Sequence, residues 1–191
     1  MVIENKINKI ITIILVVVIT VAAMIIIYNN LPKNKNEKEE NEIVLQILYN
    51  DTYKNYTLNQ LQDLESLTGL GGYITSNNIT KGPYELTGVN IVTLLNQFDI
   101  RSENYSINVK ALDGYSRIFN LSYINGNIPI FNEQGEQIKT GGATMIINYK
   151  ENGEFLNNST GPLRLAFICE DGFTSSKIWI KQIYSILIID D

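Results

Sequence analysis

An unbroken apolar run near the N-terminus, from Ile10 to Tyr28, is the feature that most constrains how this chain folds. It contains no charged residue, and at about 1.5 Å per residue a helix of this length spans the roughly 30 Å hydrocarbon layer of a bilayer. The run is longer than the apolar part of a cleaved signal peptide, and the residues after Ala22-Ala23 stay apolar. We therefore predict an uncleaved transmembrane helix over residues 10–28, preceded by a short N-terminal segment, residues 1–9.

The rest of the chain divides into a charged segment and a globular domain. Residues 29–42 mix Asn, Lys and Glu with one Pro and show no apolar periodicity, so we predict a disordered tether. Residues 43–191 are numerous enough to bury a hydrophobic core as one domain. Hydrophobic residues make up 45% of the chain, which is ordinary for a globular protein and argues against disorder throughout.

The location of this domain is predicted from its asparagines, because lysines flank both ends of the apolar run and leave its orientation undecided. An Asn-rich composition explains part of the number of Asn-x-Ser/Thr motifs, and the excess favours exposure to a glycosylating compartment. We therefore expect a single-pass protein of the cell membrane with residues 43–191 outside the cytoplasm and open to glycosylation. The seven motifs all follow the run and begin at Asn50, Asn55, Asn78, Asn104, Asn120, Asn157 and Asn158.

The composition excludes several classes of function. The net charge is -5 and the pI is near 4.8, whereas nucleic-acid-binding proteins need a basic face to displace counterions from phosphates. Histidine is absent, which excludes His-dependent triads and the common His-containing zinc sites. The single cysteine, Cys169, cannot form an internal disulfide. Catalysis would have to use carboxylate, Lys, Tyr or a cofactor, and we assign neither a catalytic residue nor a metal ligand.

Local patterns in residues 43–191 predict many strands and two short helices. Ile43 to Leu48 is typical of a strand, and Thr57 with Gln60 has the form of a capping box that begins a helix. A second short helix is predicted over residues 91–98. Two helices against many strands predict an α+β fold. The other predicted strands, of which the first two form a hairpin, cover residues 105–111, 115–121, 143–149, 163–169 and 178–189.

Five segments occur in an informative order along the domain. They are Tyr56–Leu61 (YTLNQL), Thr87–Leu95 (TGVNIVTLL), Ala111–Ser116 (ALDGYS), Gly161–Leu165 (GPLRL) and Trp179–Ile183 (WIKQI). In this order and spacing they resemble the molybdopterin-binding domain of the sulfite oxidase family, over most of residues 43–191. The resemblance implies a compact α+β domain of mixed sheets and few short helices, with a pterin cofactor buried at its centre and molybdenum bound by one cysteine thiolate.

The sequence departs from that family at the metal ligand. The family's cysteine lies in the extended segment after the first helix, which here is Leu67–Asn78 and contains no Cys. A hydroxyl cannot replace a soft thiolate without changing the electronics and affinity of the metal. Cys169 lies far along the chain, and we expect it to be a small buried hydrophobic residue. The family also tends to have a basic residue directly before its C-terminal Trp; here Ile178 precedes Trp179, and Lys177 would point to the opposite face of a strand.

The resemblance also implies a polar pocket. Each candidate has an ordinary structural role as an alternative: Asp113 as a turn former, Tyr115 as a cross-strand aromatic, and Arg117 and Arg164 as solvated strand residues. The residues that we expect at a cofactor-binding pocket are Tyr73, Thr75, Asn77, Asp113, Tyr115 and Arg164, with Arg117 as a further candidate.

Three functions stay open on the sequence alone. The first is a membrane-anchored extracytoplasmic domain of the molybdopterin-dependent oxidoreductase fold that lacks cysteine-ligated molybdenum and acts as a binding or accessory module. The alternative is a molybdopterin-dependent redox enzyme whose metal is held by dithiolene sulfur alone or by an oxygen ligand such as Tyr73, Thr75 or Ser76. A purely structural surface protein is the third. Molybdopterin is thus a possible cofactor, and the sequence leaves the small-molecule ligand or redox partner open.

Overall fold

The computed structural model describes residues 42–190, which lie in one compact unit. Strands make up 53% of this structure and helices 11%. The predicted α+β class is therefore wrong, and the domain is predominantly β. The physical reason is the length of the helices: none of those described exceeds five residues, so packed sheets rather than helices form the core.

The predicted transmembrane helix at residues 10–28 lies outside the described residues, as does the tether up to residue 41. Within residues 42–190, no helix has both the length and the apolar character that crossing a membrane requires. The described domain begins with a strand at Ile43, where the sequence predicted its first strand.

Short elements follow one another along the described part of the chain. The strands are β1 (Ile43–Tyr49), β2 (Thr52–Thr57), β3 (Ser66–Ile74), β4 (Thr80–Asn90), β5 (Tyr105–Ala111), β6 (Ser116–Asn120), β7 (Pro129–Phe131), β8 (Gln137–Thr140), β9 (Thr144–Glu151), β10 (Glu154–Phe155), β11 (Arg164–Ile168), β12 (Thr174–Ser175) and β13 (Ile183–Asp190). The helices are α1 (Leu58–Gln62), α2 (Ile91–Leu95), α3 (Leu121–Ile124) and the 3-10 helix η1 (Ser176–Ile178).

Local sequence signals predicted some of these elements correctly and misplaced others. The capping box of α1 is confirmed, because Thr57 Oγ1 accepts a hydrogen bond from the Gln60 amide at 3.2 Å and Gln60 Oε1 accepts one from the Thr57 amide at 2.9 Å. Strands β5 and β6 pair antiparallel as the predicted hairpin. The strand predicted over residues 178–189 is wrong at its start, since η1 occupies Ser176–Ile178 and β13 begins only at Ile183.

The first sheet, sheet A, has the strand order β2-β1-β13-β5-β6. Strands β1 and β13 pair parallel, and the other neighbours pair antiparallel. Leu45 and Ile47 of β1, with Ile186 and Ile188 of β13, are buried on one face of this sheet. Because side chains alternate along a strand, the residues between them point to the opposite face.

The second sheet, sheet B, has the strand order β10-β9-β4-β3-β12, with β11 paired to β9. Strand β11 also reaches β3, because the Cys169 amide that follows it donates to the Leu70 carbonyl at 2.7 Å. Strands β3, β4, β9 and β11 thereby surround a small second core made by Leu86, Ile146 and Ala166, each 0% exposed. Strands β7 and β8 form a separate hairpin.

The main core combines buried side chains of both sheets in one cluster. Leu45 and Ile186 of sheet A belong to it, as do Ile147 and Phe167 of sheet B, and all four are 0% exposed. Alternation along β11 divides its side chains between the two cores, with Leu165 and Phe167 in the main core and Ala166 in the second. Strand β11 is therefore buried on both faces, which explains the apolar run Leu165–Ile168 that follows Arg164.

Strands β3 and β11 approach so closely that only glycine fits between them. A Cβ atom on Gly71 would lie 2.3 Å from the carbonyl oxygen of Phe167 and 2.6 Å from Cδ1 of Leu86. A Cβ atom on Gly69 would lie 2.7 Å from Cγ2 of Ile168. Glycine is used where another backbone approaches this closely, so the Gly-rich sequence of β3 is explained by packing.

We predict that Gly71→Ala lowers the free energy of unfolding by about 3 kcal/mol, because both the β11 backbone and the Leu86 side chain must move to admit the methyl group. Gly114→Ala is the matched control. A Cβ atom there meets nothing within 4 Å, and the cost is limited to about 1 kcal/mol for the positive φ of that residue. Urea unfolding followed by circular dichroism measures both values. Equal losses in the two variants would contradict the packing argument.

Candidate functional site

A polar cleft lies where the end of β3, the β7–β8 hairpin and η1 meet. Its volume is about 210 Å3. We call it the hydroxyl cleft; its residues are Ile74, Thr75, Ser76, Asn78, Phe131, Gly135, Ser175 and Lys177. Five of the eight lining residues carry a hydroxyl, amide or ammonium group, and none carries a carboxylate. A site with hydrogen-bond donors, one cation and no anion suits an anionic group.

The β3–β4 turn forms one wall of the hydroxyl cleft. The Asn78 amide donates to the Thr75 carbonyl at 3.0 Å, and the Ile79 amide donates to Thr75 Oγ1 at 2.9 Å. Asn78 adopts a φ of 57°, a left-handed conformation that Asn tolerates better than most residues. The local hydrogen bonds of Thr75 therefore fix the turn that presents Thr75 and Asn78 to the cleft.

Helix η1 and the residue before it contribute Lys177 and Ser175 to the lining of the cleft. Ser175 Oγ accepts a hydrogen bond from the Lys177 amide at 3.3 Å, which begins the helix. Arg117 Nη1 in turn donates to the Lys177 carbonyl at 2.8 Å and so connects η1 to sheet A. The sequence-based placement of Lys177 on the far face of a strand is wrong, because the segment is a 3-10 helix and Lys177 lines the cleft. Ile178, which occupies the family's basic position, is 5% exposed and belongs to the core.

Arg164 lies elsewhere, at the β9 side of sheet B, where the buried guanidinium pairs with the partly exposed Glu151. Its Nη2 atom donates to Asn148 Oδ1 at 2.9 Å and to Glu151 Oε2. The guanidinium also lies over the ring of Trp179, 5.0 Å from the ring centroid. Arg164 is 4% exposed, and its Nε atom has no partner among the described residues. The alternative of a solvated strand residue is wrong for Arg164, and the arginine charge is neutralised within the domain.

Tyr73 contacts Trp179, whose ring lies against the Arg164 guanidinium. The two rings lie 4.9 Å apart between centroids, and Trp179 Nε1 donates to Thr174 Oγ1 at 2.7 Å. Burial raises the pKa of the neighbouring Tyr84 above its usual range, and the charges of Tyr73 and Glu151 act in the same direction. The aromatic and ionic contacts around Arg164 and Trp179 thus connect β3, β4, β9 and β11 to the segment after η1.

The structure places the six predicted pocket residues in several parts of the domain. Thr75 lines the hydroxyl cleft, Tyr73 lies against Trp179, and Asn77 is exposed in the β3–β4 turn. Asp113 and Tyr115 lie in the β5–β6 turn, where Asp113 Oδ1 accepts from the Tyr115 amide at 2.9 Å and the Tyr115 side chain is 48% exposed. Asp113 therefore has the turn-forming role given as its alternative. Cofactor binding by these residues stays a prediction.

Four polar residues of the hydroxyl cleft were not among the predicted pocket residues: Ser76, which the sequence suggested only as a possible oxygen ligand of the metal, and Asn78, Ser175 and Lys177. Ser175 and Lys177 directly precede the segment predicted as the last strand, and no local pattern there indicated a 3-10 turn. The resemblance did contain a usable signal, since it implied a basic residue close to Trp179. Lys177 lies one position earlier than that, and the helical turn brings it to the cleft.

Cys169 lines a second cleft of about 380 Å3, which is bordered by Leu70 of β3 and by the β7–β8 hairpin. The residue is 3% exposed and belongs to the main core, as the sequence predicted. Burial raises the pKa of its thiol above the ordinary value, so the thiolate is disfavoured. The acidic groups beside it are engaged: Asp171 pairs with Lys139, and Glu170 Oε1 accepts from the Leu70 amide at 3.0 Å.

These observations test whether a cysteine-ligated molybdenum fits the chain. The thiol that exists is buried in the core as a neutral group, and the segment in which the resemblance implies the ligand has no cysteine. Across residues 42–190 there is no group of three or more Cys, Asp or Glu side chains arranged to hold a metal ion, and His is absent from the whole sequence. The residues present do not fit that metal site.

Comparison with known proteins supports the fold at a coarse level. No family model and no curated protein matches the sequence. The crystal structure of the sulfane dehydrogenase SoxCD from Paracoccus pantotrophus is similar, with a TM-score of 0.56 and 15% sequence identity. The match covers 80% of this chain and 39% of that one, so this chain spans well under half the length of SoxCD. At this identity the likeness is one of fold, and it supports a molybdopterin-oxidoreductase-like fold.

We predict that iodoacetamide alkylates Cys169 at least about tenfold more slowly in the folded protein than in urea, because the reactive thiolate is both buried and disfavoured. Mass spectrometry of the alkylated protein measures the two alkylation rates. Equal rates in the folded and the unfolded protein would show that the thiol is accessible.

The raised pKa of the Cys169 thiol also makes the stability of the fold depend on pH. Above the ordinary thiol pKa the unfolded chain loses this proton first, so the contribution of Cys169 to stability is full below that pH and declines as the pH rises.

Proposed function

We propose that residues 43–190 form a binding or accessory module that uses a molybdopterin-oxidoreductase-like fold without a cysteine-ligated molybdenum. The observation on which this depends most is the packing of β3, the strand in which the resemblance implies the metal ligand. Gly71 lies against the Phe167 carbonyl with no room for a Cβ atom, so position 71 cannot hold a cysteine in the present backbone, and none of the other positions of Leu67–Asn78 is a cysteine. The membrane attachment and extracytoplasmic location stay predictions.

The ligand of this module is proposed to be a small anion in the hydroxyl cleft. Thr75, Ser76, Asn78 and Ser175 offer hydroxyl and amide donors, and Lys177 offers a positive charge. In the described part of the chain Lys177 has no carboxylate within 4.0 Å, so its charge is available to a ligand. Phosphate, sulfate and carboxylate groups all bind to such combinations of donors and cation.

Arg164 is not proposed as a ligand-binding residue, although it is a buried cation. Glu151 and Asn148 already accept from its guanidinium, and Trp179 covers one face. Removing Glu151 from such a pair leaves an uncompensated buried charge, which is strongly destabilising. In this proposal Arg164 holds β9, β11 and Trp179 together.

The alternative function is a redox enzyme that binds molybdopterin with an oxygen ligand on the metal. One observation favours it: Thr75 and Ser76, two of the oxygen ligands that the sequence suggested, share the hydroxyl cleft with Lys177. Tyr73 fits this role less well, because its ring is engaged with Trp179. The two functions differ in one property, since the enzyme requires a bound pterin and the anion-binding module does not.

We predict that inorganic phosphate binds the full chain in the millimolar range and that Lys177→Met weakens this binding by about tenfold, because the variant removes the one cation that lines the cleft. Lys181→Met is the matched control, since Lys181 is exposed but does not line the cleft. Isothermal titration at low ionic strength measures both affinities. Unchanged affinity in Lys177→Met, or no binding by the wild-type protein, would overturn the assignment of the cleft.

A further inference from the structure

The second cleft, which Cys169 helps to line, is a groove with apolar walls between β3 and the β7–β8 hairpin. Leu70 and Pro83 line it from the β3–β4 side, Ile138 from the hairpin and Phe173 from the segment after β11. Leu70 and Ile138 are 41% and 50% exposed although both are hydrophobic. The volume of about 380 Å3 lies in the range of roughly 300 to 1,000 Å3 that is typical of small-molecule sites.

Three exposed carboxylates line the same groove, those of Glu133, Glu170 and Asp171. Among the described residues of this lining, none is Lys or Arg. Asp171 pairs with Lys139, and Glu170 uses one oxygen to accept from the Leu70 amide at 3.0 Å. Within residues 42–190 the Glu133 carboxylate has no Lys or Arg nitrogen within 4.0 Å. Negative charge therefore remains available beside the apolar walls.

The negative charge of the groove is local and does not simply follow from an acidic chain. The hydroxyl cleft, on the other side of the same hairpin, is lined by Lys177 and by no carboxylate. The hairpin contributes Gly135 to the hydroxyl cleft, and Glu133 and Ile138 to the groove. The two clefts thus differ in sign, and the field of the groove attracts cations and repels anions.

The arrangement of the carboxylates favours an organic cation over a metal ion. Across the described residues 42–190, no three Cys, Asp or Glu side chains are arranged to hold a metal ion. A metal ion requires several oxygen atoms that converge on one point. An ammonium group on an aliphatic chain needs only one nearby carboxylate, and its methylene groups pack on apolar side chains.

We propose that the groove binds a small aliphatic amine, with the ammonium group beside Glu133 and the hydrocarbon chain between Leu70 and Ile138. Both parts of the ligand are needed, because an exposed ion pair contributes little by itself and a short chain buries little apolar area. We expect a dissociation constant in the millimolar range. The site is separate from the hydroxyl cleft, so it does not depend on whether that cleft binds an anion.

Nuclear magnetic resonance of the isotope-labelled full chain tests this proposal, at low ionic strength in a non-ionic detergent that solvates the apolar run at residues 10–28. The probe is n-butylammonium, which should shift the backbone amide signal of Leu70 in a saturable way, because that amide donates to Glu170 Oε1. The uncharged 1-butanol and the chain-less methylammonium should each bind at least about fivefold more weakly.

Two variants separate the contributions of charge and apolar contact. Glu133→Gln should weaken n-butylammonium binding about fivefold, because it removes the carboxylate that has no cation beside it. Ile138→Thr should weaken it about threefold by removing apolar area. Glu103→Gln is the matched control, since it makes the same charge change at an exposed residue outside the groove, and it should bind like the wild type. Circular dichroism shows whether each variant is folded.

Several outcomes would overturn the proposal. One is the absence of a saturable shift with n-butylammonium, or shifts confined to residues outside the groove. Another is equal affinity for n-butylammonium and 1-butanol, or for wild type and Glu133→Gln, since the carboxylates would then not contribute. The peptide acetyl-Gly-Lys-Gly-amide distinguishes a free amine from a lysine side chain of a partner protein. If it binds at least about tenfold more tightly than n-butylammonium, the ligand is not a small amine.

Discussion

The structure depends on the close approach of β11 to β3, which only glycine permits. Because Gly71 lies directly against the Phe167 carbonyl, the Cys169 amide can reach Leu70 and the strands can surround the second core. The Thr75 turn, which forms a wall of the hydroxyl cleft, continues from the end of this same strand. Packing thus explains the glycines of this strand, the one in which the sulfite oxidase resemblance implies a cysteine.

The distribution of cations follows from this architecture. Arg164 is enclosed between sheet B and Trp179, where Glu151 neutralises it, and it stabilises the packing of β9 and β11. Lys177 is presented outward by a single 3-10 turn, which Ser175 begins and Arg117 anchors through the Lys177 carbonyl. A buried, paired cation contributes to the fold, whereas an exposed cation beside hydroxyl groups can meet a ligand. This contrast is why the proposed function centres on the hydroxyl cleft.

Local and global signals in the sequence differed in what they could predict. The capping box of α1 and the β5–β6 hairpin depend on neighbouring residues, and both were predicted correctly. The α+β class failed because apolar positions near residues 91–98 formed only the short helix α2, so strands dominate the fold. The hydroxyl cleft combines residues that lie far apart along the chain, so it depends on sheet pairing that no local pattern contains. Lys177 was misplaced because a 3-10 turn replaced the expected strand alternation.

The central proposal is that this domain combines a molybdopterin-oxidoreductase-like fold with the absence of the metal centre that the resemblance implies. Elemental analysis by mass spectrometry tests it most directly, on the full chain purified from a host that synthesises molybdopterin, with oxidative release of any pterin from the same sample. The account predicts molybdenum and tungsten far below one atom per chain and no released pterin. Stoichiometric metal together with pterin would contradict it and would favour the redox enzyme that binds molybdopterin.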